Sequence, residues 1–241
     1  ALGFGMGNYK DNKLEILADK GNGNYAYIDN LLEAKKAFVT DLTGTLFVIA
    51  KDVKLQLEFN PNIVEAYRLI GYENRILAKE DFNDDTKDAG EIGAGHFVTA
   101  LYEIVPKRRE FDFPGEKVDP LKYQSTTPTA AAESGEVLTL KLRYKRPDQD
   151  SSQLLTHSVE HRWTGFPEAS ADFQWAAAVA GFGMLLRESK FAGDFTFEKA
   201  LEIGKASQGN DKHGYRAECL KLMEAAELLN ESRKAAQAEK R

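Results

Sequence analysis

The chain has 241 residues, of which 42% are hydrophobic and 10% aromatic; this argues against disorder and suffices for one large core or two to three smaller ones. Its 32 basic and 38 acidic residues give a net charge of -6, which does not favour nucleic acid or anionic lipid as a partner. The longest apolar run, at residues 175–186, is too short for a transmembrane helix, which needs roughly 20 residues. We therefore predict no transmembrane segment in this chain.

The first 42 residues are predicted to alternate strand and helix in the order β-α-β-α. The strand-like segments lie at 2–5 and 24–29, and a helical pattern follows each of them. Strands that alternate with helices imply a parallel sheet. Two strands and two helices are too few to close such a sheet by themselves.

Residues 43–168 are predicted to form an antiparallel β-sandwich. In the first strand, polar residues alternate with the apolar positions Val53, Leu55, Leu57 and Phe59, which predicts a half-buried strand with its apolar face toward a core. Further strands are predicted at 67–73, 96–105, 138–144 and 154–163. Five strands in series without an intervening helix indicate an antiparallel sheet or sandwich. The Pro-rich segment 106–135 lacks periodicity and is interpreted as a long loop.

Residues 169–241 are predicted to be helical, which completes an α+β fold of sandwich followed by a small helical bundle. The helix near 175–186 is apolar nearly all round and is expected at the centre of the bundle. The single cysteine, Cys219, excludes an intrachain disulfide and is expected to be a small core residue. In the last helix the predicted core stripe consists of Tyr215, Cys219, Leu222, Met223, Ala226 and Leu229.

The segment GFGMGN, residues 3–8, is tested as a phosphate-binding loop and does not match. The dinucleotide fingerprint needs glycine at its first, third and sixth positions. Its sixth position is Asn8 when counted from Gly3 and Lys10 when counted from Gly5. We interpret the segment as a tight turn that leaves a strand and predict no cofactor-binding residues.

An acidic segment at 80–91 is the candidate for Ca²⁺. An EF-hand loop has glycine at its sixth position and glutamate at its twelfth, whereas these positions, counted from Asp81, are Thr86 and Ile92. The preferred interpretation is a solvated acidic loop. A Ca²⁺-stabilised structural domain stays open as an alternative that would use Asp81, Asp84, Asp85 and Asp88.

The segment HSVEH offers His157, Glu160 and His161 as zinc ligands. Its flanks alternate as a strand does, and residues four apart on a strand lie roughly 13 Å from each other. One zinc ion with ligands at about 2 Å cannot bridge that distance. We predict no metal ligands in this chain.

His96 lies near Asp88 and Glu91 in sequence, so a base beside carboxylates is a candidate for hydrolase chemistry. No GxSxG motif is present and no Cys–His pair is indicated. A structural histidine at the start of a strand is the preferred interpretation. We predict no catalytic residues and no enzyme, and the hydrolase that uses His96 with Asp88 or Glu91 stays the alternative.

Several strings resemble one bacterial family, the von Willebrand factor type A domain-containing proteins of the cell envelope. The resemblance lies in LGFGMGNYKDNKLEILADKGNGNYAYIDN, TLFVIAKDVKLQLEFNPNIVEAYRLIGYENR, DAGEIGAGHFVTALYEIVP, FQWAAAVAGFGMLLRESKF and HGYRAECLKLMEAAELL. It covers most of residues 1–105 and 136–229. Members of this family are often predicted lipoproteins, and their C-terminal domain has no assigned function.

The resemblance implies that residues 1–42 are the C-terminal remnant of a doubly wound type A domain. Such a domain holds Mg²⁺ or Mn²⁺ through an Asp-x-Ser-x-Ser motif, which this sequence lacks, so no metal residue is carried over. The resemblance also implies the periplasmic side of the envelope, with a lipid anchor in the full-length protein. We expect a non-enzymatic protein-interaction or scaffold region that binds an unidentified protein partner and self-associates through residues 1–10 or an open strand edge.

Overall fold

The structure, a computed structural model, describes residues 1–5, 10–21, 23–72, 76–107 and 127–238. The chain forms two compact units, each assembled from three separate stretches of sequence. The first unit contains Ala1–Asn60, Glu73–Val98 and Ala132–Glu160, and the second contains Pro61–Tyr72, Thr99–Ala131 and His161–Arg241. The division into domains at residues 1–42, 43–168 and 169–241 stays a prediction.

The first unit begins with the predicted β-α-β-α order. Strand β1 (Leu2–Phe4) pairs in parallel with β2 (Ala26–Ile28), and α1 (Asp11–Lys20) connects them. Helix α2 (Leu31–Lys35) begins where the Asn30 side chain accepts a hydrogen bond from the Glu33 N–H, as an N-cap does. It continues as a π-helical stretch, Lys36–Thr40, and is followed by α3 (Leu42–Leu46).

A four-stranded antiparallel sheet completes the first unit, with the strand order β5-β3-β7-β8. Its members are β3 (Val48–Phe59), β5 (Gly90–Gly93), β7 (Glu136–Lys145) and β8 (Ser152–Glu160). Strand β3 ends at Asn60, whose side chain donates hydrogen bonds to the carbonyls of Ala132 and Glu136, and Pro61 then has no N–H to continue a ladder. Strand β5 was not predicted, because four residues rich in glycine carry no period.

The second unit combines a two-stranded ribbon with three helices. Strand β4 (Val64–Ile70) pairs antiparallel with β6 (Leu101–Pro106), so the predicted strands at 67–73 and 96–105 are confirmed with shifted ends. The helices are α4 (Ala171–Leu186), α5 (Phe197–Ala206) and α6 (Tyr215–Ala238). Their core cluster consists of Phe182, Ala200, Leu201, Leu220 and Met223, with Trp175, Phe195, Phe197, Cys219 and Ala226 packed against it.

The predicted core stripe of α6 is wrong in two members. Leu222 and Leu229 are exposed, whereas Leu220 is buried beside Met223. At 3.6 residues per turn, the buried side is centred between Cys219 and Leu220, so Leu222 and Leu229 project roughly a quarter turn or more away from it. The apolar pattern of α6 is wider than the face that α5 covers.

The prediction that α4 lies at the centre of its bundle is also wrong. Only Ala178, Gly181 and Phe182 of this helix are buried, while Phe173, Val179 and Leu186 are exposed. The helix therefore buries one face, although its sequence is apolar on several.

The α+β class, the antiparallel sheets and the C-terminal helical region are confirmed. The two antiparallel sheets lie in different units, and their packing as a sandwich stays a prediction. Within the described part of the chain no helix is long and apolar enough to cross a membrane. Most of the predicted loop at 106–135, namely residues 108–126, lies outside the described residues.

Candidate interaction surface

The register of the sheet defines its two faces. Residues directly opposite each other on neighbouring strands, and residues two apart on one strand, point to the same side. One side carries three rows across β3, β7 and β8, which we call the open sheet face: Leu55–Leu142–Leu155, Leu57–Leu140–His157 and Phe59–Leu138–Val159. The opposite rows are mostly polar: Lys54–Arg143–Leu154, Gln56–Lys141–Thr156 and Glu58–Thr139–Ser158.

At the pair Lys54 and Leu55, burial is the reverse of what the alternation predicts. Lys54 is only 3% exposed, whereas its neighbour Leu55 is 45% exposed. On β8, Leu155 is 54% exposed and Val159 is 37% exposed. Phe59 alone on the open sheet face is buried; the four leucines at 57, 138, 140 and 142 are half-buried. The prediction that the apolar positions of β3 face a core is therefore wrong for Leu55.

Lys54 is buried because residues 79–89, here called the acidic loop, lie over its side of the sheet. Its ammonium donates to the carbonyl of Asp81 at 3.2 Å and to the carbonyl of Asp84 at 2.5 Å. Phe82 of the same loop is buried and adds apolar contact. The loop thus satisfies a buried charge that would otherwise be expensive.

Two more basic residues of the sheet hold the other half of the acidic loop. Lys145 donates to the Asp85 carbonyl at 2.8 Å and lies 2.7 Å from the Asp52 carboxylate. Arg143 lies 3.8 Å from the Asp85 carboxylate, which also accepts from the Ser152 N–H. The loop is attached to the strands through these ion pairs and hydrogen bonds.

The pKa values of the acidic groups agree with this arrangement. Burial alone would raise the pKa of Asp52, but hydrogen bonds from Lys145 and from the Ala89 N–H outweigh it, so this pKa lies below its usual value. Hydrogen bonds from the Thr86 hydroxyl and N–H lower the pKa of Asp84. The Asp52 hydrogen bond in turn raises the pKa of Lys145. These groups stay charged, and paired, at neutral pH.

Asp81, Asp84, Asp85 and Asp88, the residues of the calcium alternative, each have a partner in the loop or on the neighbouring strands. Asp81 lies 3.7 Å from Lys87, and Asp88 contacts Asp52. Across the described ranges, no three His, Cys, Asp or Glu side chains come together as a metal site requires. The Lys54 ammonium supplies positive charge against the carbonyls of Asp81 and Asp84.

The structure does not bring His96 together with its predicted acidic partners. The His96 ring lies against the backbone of α3, where a Cβ added at Gly44 would be 2.3 Å from Nε2. Asp88 is directed to Asp52. The half-buried His96 follows β5 in a turn rather than starting a strand, so that part of the prediction is wrong. The arrangement favours a packing role for this histidine.

The remaining candidates are separate from one another. His157 lies on the open sheet face of β8, and the His161 ring packs edge-on against Trp163 at 4.9 Å. In the glycine-rich segment, Gly5 has φ 85°, as a turn after β1 requires, and residues 6–8 lie outside the described residues. Cys219 is half-buried beside the helical core, as predicted, and burial raises the pKa of its thiol.

The two edges of the four-stranded sheet differ in how they are protected. Strand β5 is four residues long and pairs with β3 through two register irregularities. Strand β8 is nine residues long, and all of its residues after Ser152 are exposed. Short, irregular edges discourage further strand pairing and long regular ones invite it. Sequence alternation identified β8 but could not show that it lies at an open edge of the sheet.

A groove in the second unit is a further apolar feature. It has a volume of about 430 Å³ and is lined by Leu185, Leu186, Phe195, Phe197, Ala226 and Leu229. Its charged rim includes Glu188 and Arg233, which pair with each other at 3.2 Å. Glu188 and Arg233 neutralise each other, and Lys234 adds a further basic side chain to the lining.

The fold and the open sheet face define an α+β protein with an exposed apolar sheet surface. The chain belongs to the family described as "Uncharacterized protein YfbK, C-terminal", which matches residues 44–229. The "Uncharacterized protein YfbK" of Escherichia coli (strain K12) is 38% identical over 227 residues, which are 94% of this chain and 38% of that protein. The chain thus spans well under half the length of this relative, and no solved structure matches it.

Proposed function

We propose that this chain is a non-enzymatic protein-interaction region and that the open sheet face is its contact surface. The observation that carries the proposal is the reversed burial of neighbours: Lys54 is covered while Leu55 is exposed, as are Leu155 and Val159. The largest apolar patch on a protein surface, commonly a few hundred Å², is often a functional contact site.

The size of the open sheet face limits the kind of contact. Three strands about 4.8 Å apart and three rows about 6.8 Å apart cover roughly 14 Å by 20 Å, or roughly 300 Å². A stable protein interface buries about 800 Å² on each partner. The open sheet face is therefore the apolar centre of a larger contact, with the polar surroundings as its rim.

We also propose the setting that the family resemblance implies. In it, the chain acts beside a von Willebrand factor type A domain in a bacterial envelope lipoprotein, on the periplasmic side. The parallel β1–β2 pair with its connecting helix supports this proposal, because a doubly wound domain is built from such units. Any Mg²⁺ or Mn²⁺ would belong to that domain, and this chain would contribute protein contacts.

The proposal is tested with a photo-crosslinking amino acid at two neighbouring positions of β7. Leu140 lies on the open sheet face and Thr139 on the opposite one. In cells, the crosslinker at position 140 should give a discrete protein adduct that the crosslinker at position 139 does not give. The adduct should disappear when Leu55→Lys is added to the same chain and persist with Gln56→Lys, the matched change on the other face.

A second measurement uses the purified chain alone. An apolar dye such as ANS should bind, and its fluorescence should fall in the double variant Leu55→Lys, Leu155→Lys but not in Gln56→Lys. Equal adducts from positions 139 and 140, or dye binding unchanged by the leucine substitutions, would refute the assignment of the contact surface.

A further inference from the structure

The outer edge of β8 has none of the usual protection against strand pairing. From Ser152 to Val159 the strand contains neither a charged residue nor a proline. Natural edge strands are blunted by Lys, Pro, bulges or short length. No further strand pairs with β8 among the residues described, and its side chains after Ser152 are exposed on both faces.

Other strand edges among the described residues differ from that of β8. Strand β5, at the opposite edge of the same sheet, is short and irregular. In the two-stranded ribbon, β4 and β6 carry the ion pair between Arg68 and Glu103, and β6 ends in Pro106. Strand β8 thus combines length, exposure and a run without charge at one sheet edge.

We propose that β8 pairs antiparallel with β8 of a second copy, about a two-fold axis perpendicular to the sheet at Thr156. This inference deepens the proposed function, on which it rests, by naming a second copy as the partner at this edge. The register opposes Thr156 with Thr156 of the other copy, Leu155 with His157, Leu154 with Ser158 and Gln153 with Val159.

The symmetry fixes the parity of this register. A two-fold axis perpendicular to the sheet keeps each face on its own side, and directly opposed residues must share a face. Paired residue numbers therefore sum to an even number, and a sum of 312 gives overlap over the whole of β8. A slip by one residue would place the two apolar faces on opposite sides.

This register is chemically self-complementary. It opposes no like charges, and it creates a Thr–Thr pair of the kind that stabilises sheets. The one acidic residue of the strand, Glu160, lies opposite Ser152 of the other copy. It also joins two open sheet faces into one apolar surface of roughly 600 Å². A foreign strand would supply the same backbone hydrogen bonds but would not double that surface.

The test exploits the identical pair at the axis. Wild type should sediment as a dimer. Thr156→Lys and Thr156→Glu each oppose two like charges, so either variant alone should weaken dimerisation roughly tenfold or more. An equimolar mixture should regain a dimer with one copy of each, identified by native mass spectrometry. Thr139→Lys is the control, because it adds a charge to the same face of the sheet as Thr156 but on β7, away from the paired edge. This variant should leave the dimer intact.

A second readout fixes the register. In a Cys219→Ala background, Thr156→Cys should oxidise to an intermolecular disulfide, because opposed residues have Cα atoms about 4.5–5.5 Å apart. Wild type that stays monomeric at high concentration, variants that still dimerise, or a mixture that is not rescued would each overturn the inference. A monomer that still binds ANS and crosslinks at Leu140 would refute the β8 pairing and leave the proposed function standing. A rescued dimer without that adduct would support the β8 pairing and refute the proposed contact surface.

Discussion

Lys54 and Leu55 are neighbours on β3 and offer a direct test of the reversed burial. The strand pattern predicts that truncating Leu55 removes core packing and that changing Lys54 matters little. The structure predicts the reverse, since Lys54 is 3% exposed and Leu55 is 45% exposed. We therefore compare Lys54→Met, which keeps an apolar stem of similar length, with Leu55→Ala.

The magnitudes follow from the contacts of each residue. Lys54 makes two hydrogen bonds to the acidic loop, and a hydrogen bond from a charged donor is worth about 1.5–3 kcal/mol. The substitution also removes the cost of burying the ammonium, which offsets part of the loss. We expect Lys54→Met to reduce the free energy of unfolding by about 2 kcal/mol. Complete burial of a leucine is worth about 1.5–3 kcal/mol, so Leu55→Ala, on an open face with no cavity to form, should cost about 1 kcal/mol or less.

Equilibrium urea unfolding, followed by far-UV circular dichroism, measures both changes. Leu220→Ala provides the reference for a buried leucine and should cost about 2–5 kcal/mol. If Leu55→Ala approached that reference, or if Lys54→Met were neutral, then the open sheet face would be buried in solution and the reasoning would fail.

Three further predictions concern close backbone contacts and pH. Gly93→Ala should destabilise by about 3 kcal/mol or more, because its Cβ would lie 1.6 Å from a carbonyl oxygen of α3, whereas Gly90→Ala, with open space around it, should change the melting temperature little. Gly181→Ala should destabilise by about 1–3 kcal/mol against the Phe195 ring, and Gly183→Ala, free of contacts, should stabilise α4 by about 0.5–1 kcal/mol; equal effects would contradict the packing. Because the pKa of Asp52 is lowered in the folded state, its carboxylate stabilises the fold at pH values above the unfolded pKa of about 3.9, and this stabilisation is lost as the pH falls through the folded pKa. Asp52→Asn should therefore flatten the pH dependence of the urea midpoint between pH 5 and 2. An equal loss of stability in wild type and variant over this range would argue against the ion pair.

The strands that form the open sheet face could be identified from the sequence. Alternation located β3, β7 and β8, and the two-residue period alone assigned Leu55 and Leu57 to one face and Lys54 to the other. The candidate surface was therefore visible as a pattern, but it was interpreted as core. The assumption that failed is that the apolar side of a strand is always the covered one.

The functional candidates failed as sites for a related reason. His96 and Asp88 are close in sequence, yet the histidine ring rests on Gly44 and the carboxylate contacts Asp52. Short sequence separation limits the distance between two residues but does not direct their side chains toward each other. Those directions depend on α3 and on the bulge in β3, which are remote from the motif in sequence.

Local chemistry decided most of the secondary structure of this protein. Alternation, helical periodicity and cap residues such as Asn30 act over a few residues, so the sequence alone indicates them. Which residues become covered depends on segments that arrive from far along the chain: the acidic loop lies about 30 residues after Lys54 and covers that residue on the polar side of the sheet. Only the tertiary structure shows that the described residues leave the leucine side open, because burial is a property of what packs against a residue and not of the residue itself.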